Sequence, residues 1–190
     1  MLFAVIAYDE PVRKKSIKID ETLFDRIAKG EKEAFCRLYE QTKEAVYAYA
    51  LSILCHQADA EDVMQETYLR IRSAAHLYQP QGKPLVWIFT ITRNLCLMRL
   101  RNRKRNIHAE LDDVQKGKIC EELKSSENRM ILDMAFQILS EEECQIILLH
   151  AVVGLKHREI AENLKLSLST VLSRYNRGIK KMRKLLEGRL

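Results

Sequence analysis

Apolar residues recur at three- and four-residue intervals through most of this chain, and the alternation of a half-buried strand is almost absent. The pattern predicts an all-α fold. Only Ser16–Asp20 alternates, and five residues are too few to imply a sheet. A first short helix is expected from about Glu21 to Lys29, stopped by Gly30. A long second helix should cover about Glu31 to Cys55 and bury Phe35, Leu38, Val46, Tyr49 and Ile53. A third opens near Ala58. A fourth runs from Pro84, a good first-turn residue, to the Arg101–Arg105 cluster, with Ile88, Ile91, Leu95 and Met98 on its buried face. Between Asn106 and Asn128 the pattern dissolves into six acids and three lysines with no apolar stripe, which reads as a linker. Helicity returns near Glu127 with the seam Ile131, Met134, Ala135, Ile138 and Leu139. Ser140 and Glu143 then form a capping-box signature for a helix that buries Cys144, Ile147, Leu148 and Ala151 and ends at Gly154. Two small helical domains joined by a flexible linker result: an N-terminal extension (1–20), a first domain (21–105), the linker (106–127) and a second domain (128–190).

The run from Gly154 to Lys184 carries the sharpest local signal. It reads as a short helix with Ile160, Ala161 and Leu164 inward, a polar turn, and a second helix capped by Ser167. Val171, Tyr175, Ile179, Met182 and Leu185 share the second helix's inner stripe. Ser173, Asn176, Arg177, Lys180 and Lys181 remain outside. A capped helix, a turn and a cationic helix together read as a helix-turn-helix, whose second helix suits the major groove of DNA. A solvated amphipathic helix is the plainer alternative.

Charge is concentrated rather than spread. From Arg93 to Arg105 there are six cations and no acid, and from Lys165 to Lys184 seven cations and no acid. Removing those thirteen from the formal charge of +6 leaves the rest of the chain at −7. Two basic helices on an otherwise acidic chain suggest two polyanion contacts. The five cysteines show no C-x-x-C spacing, and Cys55 beside His56 lacks further ligands, so free thiols in a reducing compartment are expected and no metal or cofactor. The opening MLFAVIA is too short to span a bilayer and is followed at once by Asp9 and Glu10. The expected location is cytoplasmic, without membrane insertion.

Four runs carry a resemblance to a known family. DAEDVMQETYLRI (Asp59–Ile71) and WIFTITRNLCLMRLRNRKR (Trp87–Arg105) are followed by LSEEECQIILLHAVVGLKHREIAENL and STVLSRYNRGIKKMR in the second domain. In this order and at this separation the chain resembles bacterial sigma-70-type sigma factors, specifically the small extracytoplasmic-function (ECF) group, over about Leu23 to Leu186. The resemblance implies a transcription initiation factor. Its first domain would bind core RNA polymerase and recognise and melt the promoter −10 element, and its second would bind the −35 element. It further implies contacts with the polymerase β′ clamp and β flap, a linker running through the RNA exit path, and an anti-sigma factor as a partner class.

Residue by residue, Asp62, Gln65 and Glu66 match the positions that dock on the β′ clamp helices. Taken alone, an acidic and amide edge one helical turn long is a solvated face. Tyr78 and Asn94 match positions around a flipped −10 base, since aromatic faces and an amide edge hold an unstacked base. Asn94 is also a poor helix former in mid-helix. Trp87 reads equally as a core aromatic or a DNA contact. Arg99 and Arg101, with Arg103, Lys104 and Arg105, bind phosphate or keep the helix end solvated. In the second domain Leu172, Ser173, Asn176 and Arg177 match the −35-reading face, with Thr170, Lys180 and Lys181 supporting phosphate contact. Three positions depart from the family pattern: Leu172 where Lys or Arg is usual, Gly178 where Ala is commoner, and Lys156 in place of a Ser or Thr cap. Gly178 should cost about 1 kcal/mol of helix propensity.

Two other classes compete. A stand-alone helix-turn-helix transcriptional regulator would bind its operator tightly without polymerase. A nucleic-acid-processing enzyme would need a nucleophile or metal-binding carboxylates beside the basic runs, and only Asp112 and Asp113 in the linker are adjacent aspartates. No catalytic residue is expected.

Overall fold

The computed structural model of the protein describes residues 17–107 and 138–187. These residues are helical with no strand, and they fall into two units. Asn106 and Ile107, expected to open the linker, continue the last helix of the first unit, while linker residues 108–127, the N-terminal residues 1–16 and the seam residues Ile131, Met134 and Ala135 lie outside the described residues.

The first unit contains α1 (Thr22–Ala28), α2 (Lys32–Leu54), α3 (Gln57–Ala74), a 3-10 turn (Ala75–Leu77) and α4 (Pro84–Ile107). Helix α1 buries Leu23, Phe24 and Ile27, the i, i+1, i+4 set that one short helix can turn inward. It ends at Gly30, whose φ of 86° is open to a residue without Cβ. Helix α2 buries Leu38, Ala45, Val46, Tyr49, Ala50, Ile53 and Leu54, while Phe35 is only half-buried. Each fully buried apolar side chain contributes about 1.5–3 kcal/mol. The buried Thr42 hydroxyl is paired: it donates to the Leu38 carbonyl at 2.7 Å and shares a 2.7 Å hydrogen bond with the Tyr68 hydroxyl. Helix α2 stops at Cys55, in the left-handed region at φ 50°, where the Cys55 N–H returns to the Leu51 carbonyl at 2.9 Å. His56 then caps α3, its Nδ1 accepting from the Asp59 N–H at 3.3 Å. The Cys55–His56 pair is thus a helix boundary.

Helix α4 faces the core differently from the sequence expectation. Leu85, Ile88, Phe89, Thr92, Leu95 and Cys96 are buried, Ile91 is half-buried and Met98 is 43% exposed. The helix is apolar on several sides (Val86, Trp87, Ile91, Leu97, Leu100), so periodicity alone does not select which ridge packs on α2 and α3. Phe89 decides it by packing edge-on against buried Tyr49, ring centroids 5.3 Å apart.

The second unit contains α5 (Glu141–Ile147), a π-helical turn (Leu148–Val152), α6 (His157–Leu164) and α7 (Leu168–Glu187). The capping box forms: the Glu143 N–H donates to Ser140 Oγ at 3.3 Å and the Ser140 N–H to Glu143 Oε2 at 2.9 Å. Cys144, Ile147 and Leu148 are buried, with Ala151 half-buried. Lys156 has no acceptor to offer the start of α6, so only half of a box exists there, the Lys156 N–H donating to Glu159 Oε2 at 2.7 Å. Gly178 is a packing device, not merely a propensity loss. It is buried where α7 meets α5, and a Cβ there would lie 2.7 Å from Ile147 Cδ1 and 3.3 Å from Leu139 Cδ2.

Candidate nucleic-acid interface

In the first unit, α3 and α4 pack side by side along a seam. Asp62 and Gln65 are exposed on α3 and Glu66 is half-buried. Across the seam, Arg99 reaches back from α4. Its Nη2 lies 2.6 Å from Asp62 Oδ2 and 2.7 Å from Asp59 Oδ1, and its Nε donates to the same Asp59 oxygen at 2.9 Å. Arg99 is therefore held by two carboxylates instead of extending to solvent, and one of them is a nominated docking residue. Its hydrogen bonds to the Asp59 and Asp62 carboxylates together raise its pKa. Asp59, Arg99, Asn102 and Arg103 line a shallow recess beside the pair. Asn94 is exposed one helical turn and more before Arg99, and Arg101 is exposed beyond it.

Tyr78 and Trp87 flank the loop after the 3-10 turn and are not solitary aromatics. Tyr78 stacks on Phe24 with centroids 4.1 Å apart, while Trp87 meets Phe24 edge-on at 5.3 Å and Tyr78 at 5.4 Å. Phe24 is 1% exposed and anchors the group to α1. Burial, with the Glu21 charge adding, pushes the Tyr78 hydroxyl up to about 12. One face of the Tyr78 ring is thus already occupied, and the loop hangs from a three-ring cluster. Phe24 was missed from the sequence, although the spacing of Leu23, Phe24 and Ile27 offers a signal for its inward position; its partnership with a loop more than fifty residues later has none.

In the second unit, Ser167 caps α7 by accepting from the Thr170 N–H at 3.2 Å, and the Thr170 hydroxyl meets Ser167 Oγ at 2.8 Å. Thr170 is consequently half-buried and tied into the cap. Leu172, Ser173, Asn176, Arg177 and Lys180 are exposed along one side of α7. Lys181 points elsewhere: its Nζ lies 2.6 Å from Glu143 Oε2, and Glu143 is 1% exposed. Arg177 Nε is 3.9 Å from the other Glu143 oxygen, with its side chain 62% exposed. Burial pushes the Glu143 carboxyl up, but bonds from Lys181 and the Ser140 N–H and the Lys181 charge outweigh it, leaving it below its ordinary value. Arg174 is similarly held, 2.9 Å from Glu142. Behind α7, Tyr175 packs edge-on against the stacked rings of His150 and His157, and His150 Nδ1 lies 2.8 Å from the Leu155 carbonyl. Glu143 was expected from the sequence only as a capping residue, and its bond to Lys181, like Glu142 and the histidine pair, was not singled out. Among the described residues no group of three or more His, Cys, Asp or Glu is placed to hold a metal ion, and no helix is long and apolar enough to cross a membrane.

Residues 38–106 match the family model of sigma-70 region 2, and residues 129–182 that of sigma-70 region 4. The ECF RNA polymerase sigma factor SigK of Mycobacterium sp. (strain KMS) is 26% identical, over 95% of this chain and 97% of that protein. SigK of Mycobacterium ulcerans is 26% identical over 87% of this chain and 92% of its own length. Among solved structures, CnrH in complex with the cytosolic domain of CnrY is similar with a TM-score of 0.61 at 24% identity, covering 89% of this chain and 97% of that one. RpoE in complex with the anti-sigma factor NepR, from Bartonella quintana, gives 0.66 at 22% identity, covering 82% and 98%. These two likenesses concern the fold. With a region 2 followed by a region 4 and relatives matched along nearly their whole length, the chain belongs to the sigma-70 family, in its ECF group, and is a sigma factor that directs RNA polymerase to promoters.

Proposed function

We propose that the work of promoter choice divides between residues 21–105 and 128–190, with 106–127 as the tether. The first domain docks on the β′ clamp through Asp62, Gln65 and Glu66 and holds a melted −10 base near Tyr78 and Asn94. The second sets register on the duplex −35 element through Ser173, Asn176 and Arg177, with Lys180 on phosphate and contact to the β flap. The observation that supports this most is the separation of exposed faces: Asp62 and Gln65 along α3, Asn94 on α4, and Ser173, Asn176, Arg177 and Lys180 along α7. Each face is polar, solvent-facing and built on a helix that its neighbours pack from behind. Phe24 covers one face of the Tyr78 ring and Trp87 meets it edge-on, so Tyr78 acts in this reading with only the part of the ring those contacts leave. Arg101 contributes phosphate contact, which adds affinity more than sequence preference.

The factor is a non-catalytic subunit working in the cytoplasm without metal or cofactor. An anti-sigma factor is a further partner class that this reading carries, RpoE having been solved with one. A stand-alone regulator with the same helix-turn-helix would hold its DNA unaided. A gel shift of the full chain on promoter DNA, with and without core polymerase, separates the two. Specific binding that requires core supports the sigma mechanism; tight specific binding by the chain alone refutes it.

A further inference from the structure

We propose that Leu172 reads the C5-methyl group of a thymine in the −35 element, so that this factor selects T at a position where a basic side chain would select G. The inference rests on the −35 reading of α7 given above. Leu172 is 40% exposed, one of four large apolar side chains so exposed among the described residues, with Leu69, Leu77 and Met98. A lone exposed leucine is ordinary. Its register is what distinguishes this one. Leu172 is the fifth residue of α7, in the turn after the Ser167 cap, and Ser169, Ser173 and Asn176, its neighbours at i−3, i+1 and i+4, are all exposed. In a groove-bound helix those N-terminal turns meet base edges. The other three exposed residues belong to the first unit.

The chemistry of the major groove then restricts what an alkyl group can face. Guanine presents N7 and O6, adenine N7 and an amino group, and cytosine an amino group, so a leucine against any of them strips water from a polar atom and returns no hydrogen bond. Thymine alone offers an apolar group at that edge. Pressing a leucine on one methyl removes roughly a methylene's worth of apolar surface from water, equivalent to about a three- to tenfold preference. Ser173 and Asn176, flanking it, retain hydroxyl and amide groups for the polar edges of adjacent bases.

The test uses holoenzyme assembled from core polymerase and the full chain. A promoter library randomised through the −35 element is selected with the wild type, Leu172→Ala, Leu172→Arg and Arg177→Ala. Each selected thymine is then replaced by deoxyuridine, which lacks only the C5-methyl. The wild type should lose three- to tenfold in binding at one thymine, Leu172→Ala should bind both bases equally there, and Leu172→Arg should shift selection at that position toward G. If deoxyuridine costs wild type and Leu172→Ala the same at every −35 thymine, the inference is overturned while a −35 preference that depends on Arg177 keeps the reading of α7. If no −35 preference emerges and Arg177→Ala changes nothing, the reading itself falls and this inference with it.

Discussion

Glu143 joins two jobs that are usually separate, closing the capping box of α5 and clamping α7 through Lys181. Its removal should therefore loosen α7 as well as the helix it belongs to. In Glu143→Ala the Ser140 N–H loses its acceptor, about 1 kcal/mol for a cap. The charge-assisted bond to Lys181 contributes about 1.5–3 kcal/mol in a buried setting. Lys181 is 41% exposed, so the released ammonium regains water and no charge is stranded, which places the sum at about 2–4 kcal/mol. Glu143→Gln keeps an acceptor for Ser140 and loses only the charge, a deficit of about 1–2 kcal/mol. Amide exchange along 141–182 in the full chain reads this locally: protection should fall about 30- to 700-fold in Glu143→Ala and far less in Glu143→Gln. Trp87 fluorescence reports the first unit and should be unmoved, since among the described residues every partner of Glu143 lies in 138–187. Because the folded carboxyl titrates below its unfolded value, its contribution is complete above about pH 4.3 and disappears as pH falls through the depressed folded value. The wild type should lose protection across that acidic window, and Glu143→Gln should lack this component. Protection in Glu143→Ala within about twofold of wild type would refute the clamp.

Gly178→Ala sets a helix-propensity gain of about 1 kcal/mol against overpacking of about 1–3 kcal/mol where a Cβ meets Ile147, and Gly178→Val adds two methyls to the same contact. Both should destabilise the second unit, Val more than Ala, by amide exchange; a stabilised Ala variant would mean that α5 and α7 have slack. Asp59→Asn should partly release Arg99 toward phosphate and steepen the log–log salt dependence of holoenzyme binding to promoter DNA by up to about 0.9; an unchanged slope would mean that the ion pair withholds nothing. Asn94→Ala should reduce open-complex formation, read by reactivity of unpaired thymines, while co-purification with core polymerase stays at the wild-type level; equal losses in both would remove Asn94 from the −10 pocket.

What the sequence made visible was whatever depends on neighbours within one or two turns. The Ser140–Glu143 box, the Ser167 cap, the stop at Gly30 and the seam Ile160, Ala161, Leu164 are all short-range patterns, and each forms. Failures begin where an alternative of equal local merit existed. Helix α4 offers apolar residues on several sides, so Met98 was placed inward although the Tyr49–Phe89 contact turns another ridge to the core. Gly178 looked like a loss because helix propensity is local, whereas the reason for glycine lies in Ile147 on another helix.

The same distinction governs the candidate interface, and there it changes the electrostatics. Each cationic run is free of acid along the chain, which suggested two polyanion contacts drawing on thirteen cations. In space the acids arrive from elsewhere: Asp59 and Asp62 from 40 and 37 residues away hold Arg99, and Glu143 from 38 residues away holds Lys181. Glu142 takes Arg174 in the same way. A cation bound to a carboxylate releases no counterion from DNA until that pair is broken, so at least three of the thirteen contribute less to affinity than a linear count assigns them. Their pairing gives something else. Arg99 ties the proposed docking edge on α3 to the helix bearing Asn94, and Lys181 ties the start of α5 to the helix bearing Asn176 and Arg177. In each unit, then, an arginine or lysine that looked like a phosphate contact holds a helix of the proposed interface against its scaffold. Breaking either pair should therefore alter geometry at a base-reading residue as well as overall affinity, whereas removing Lys180, exposed on α7, should weaken binding evenly across promoter sequences.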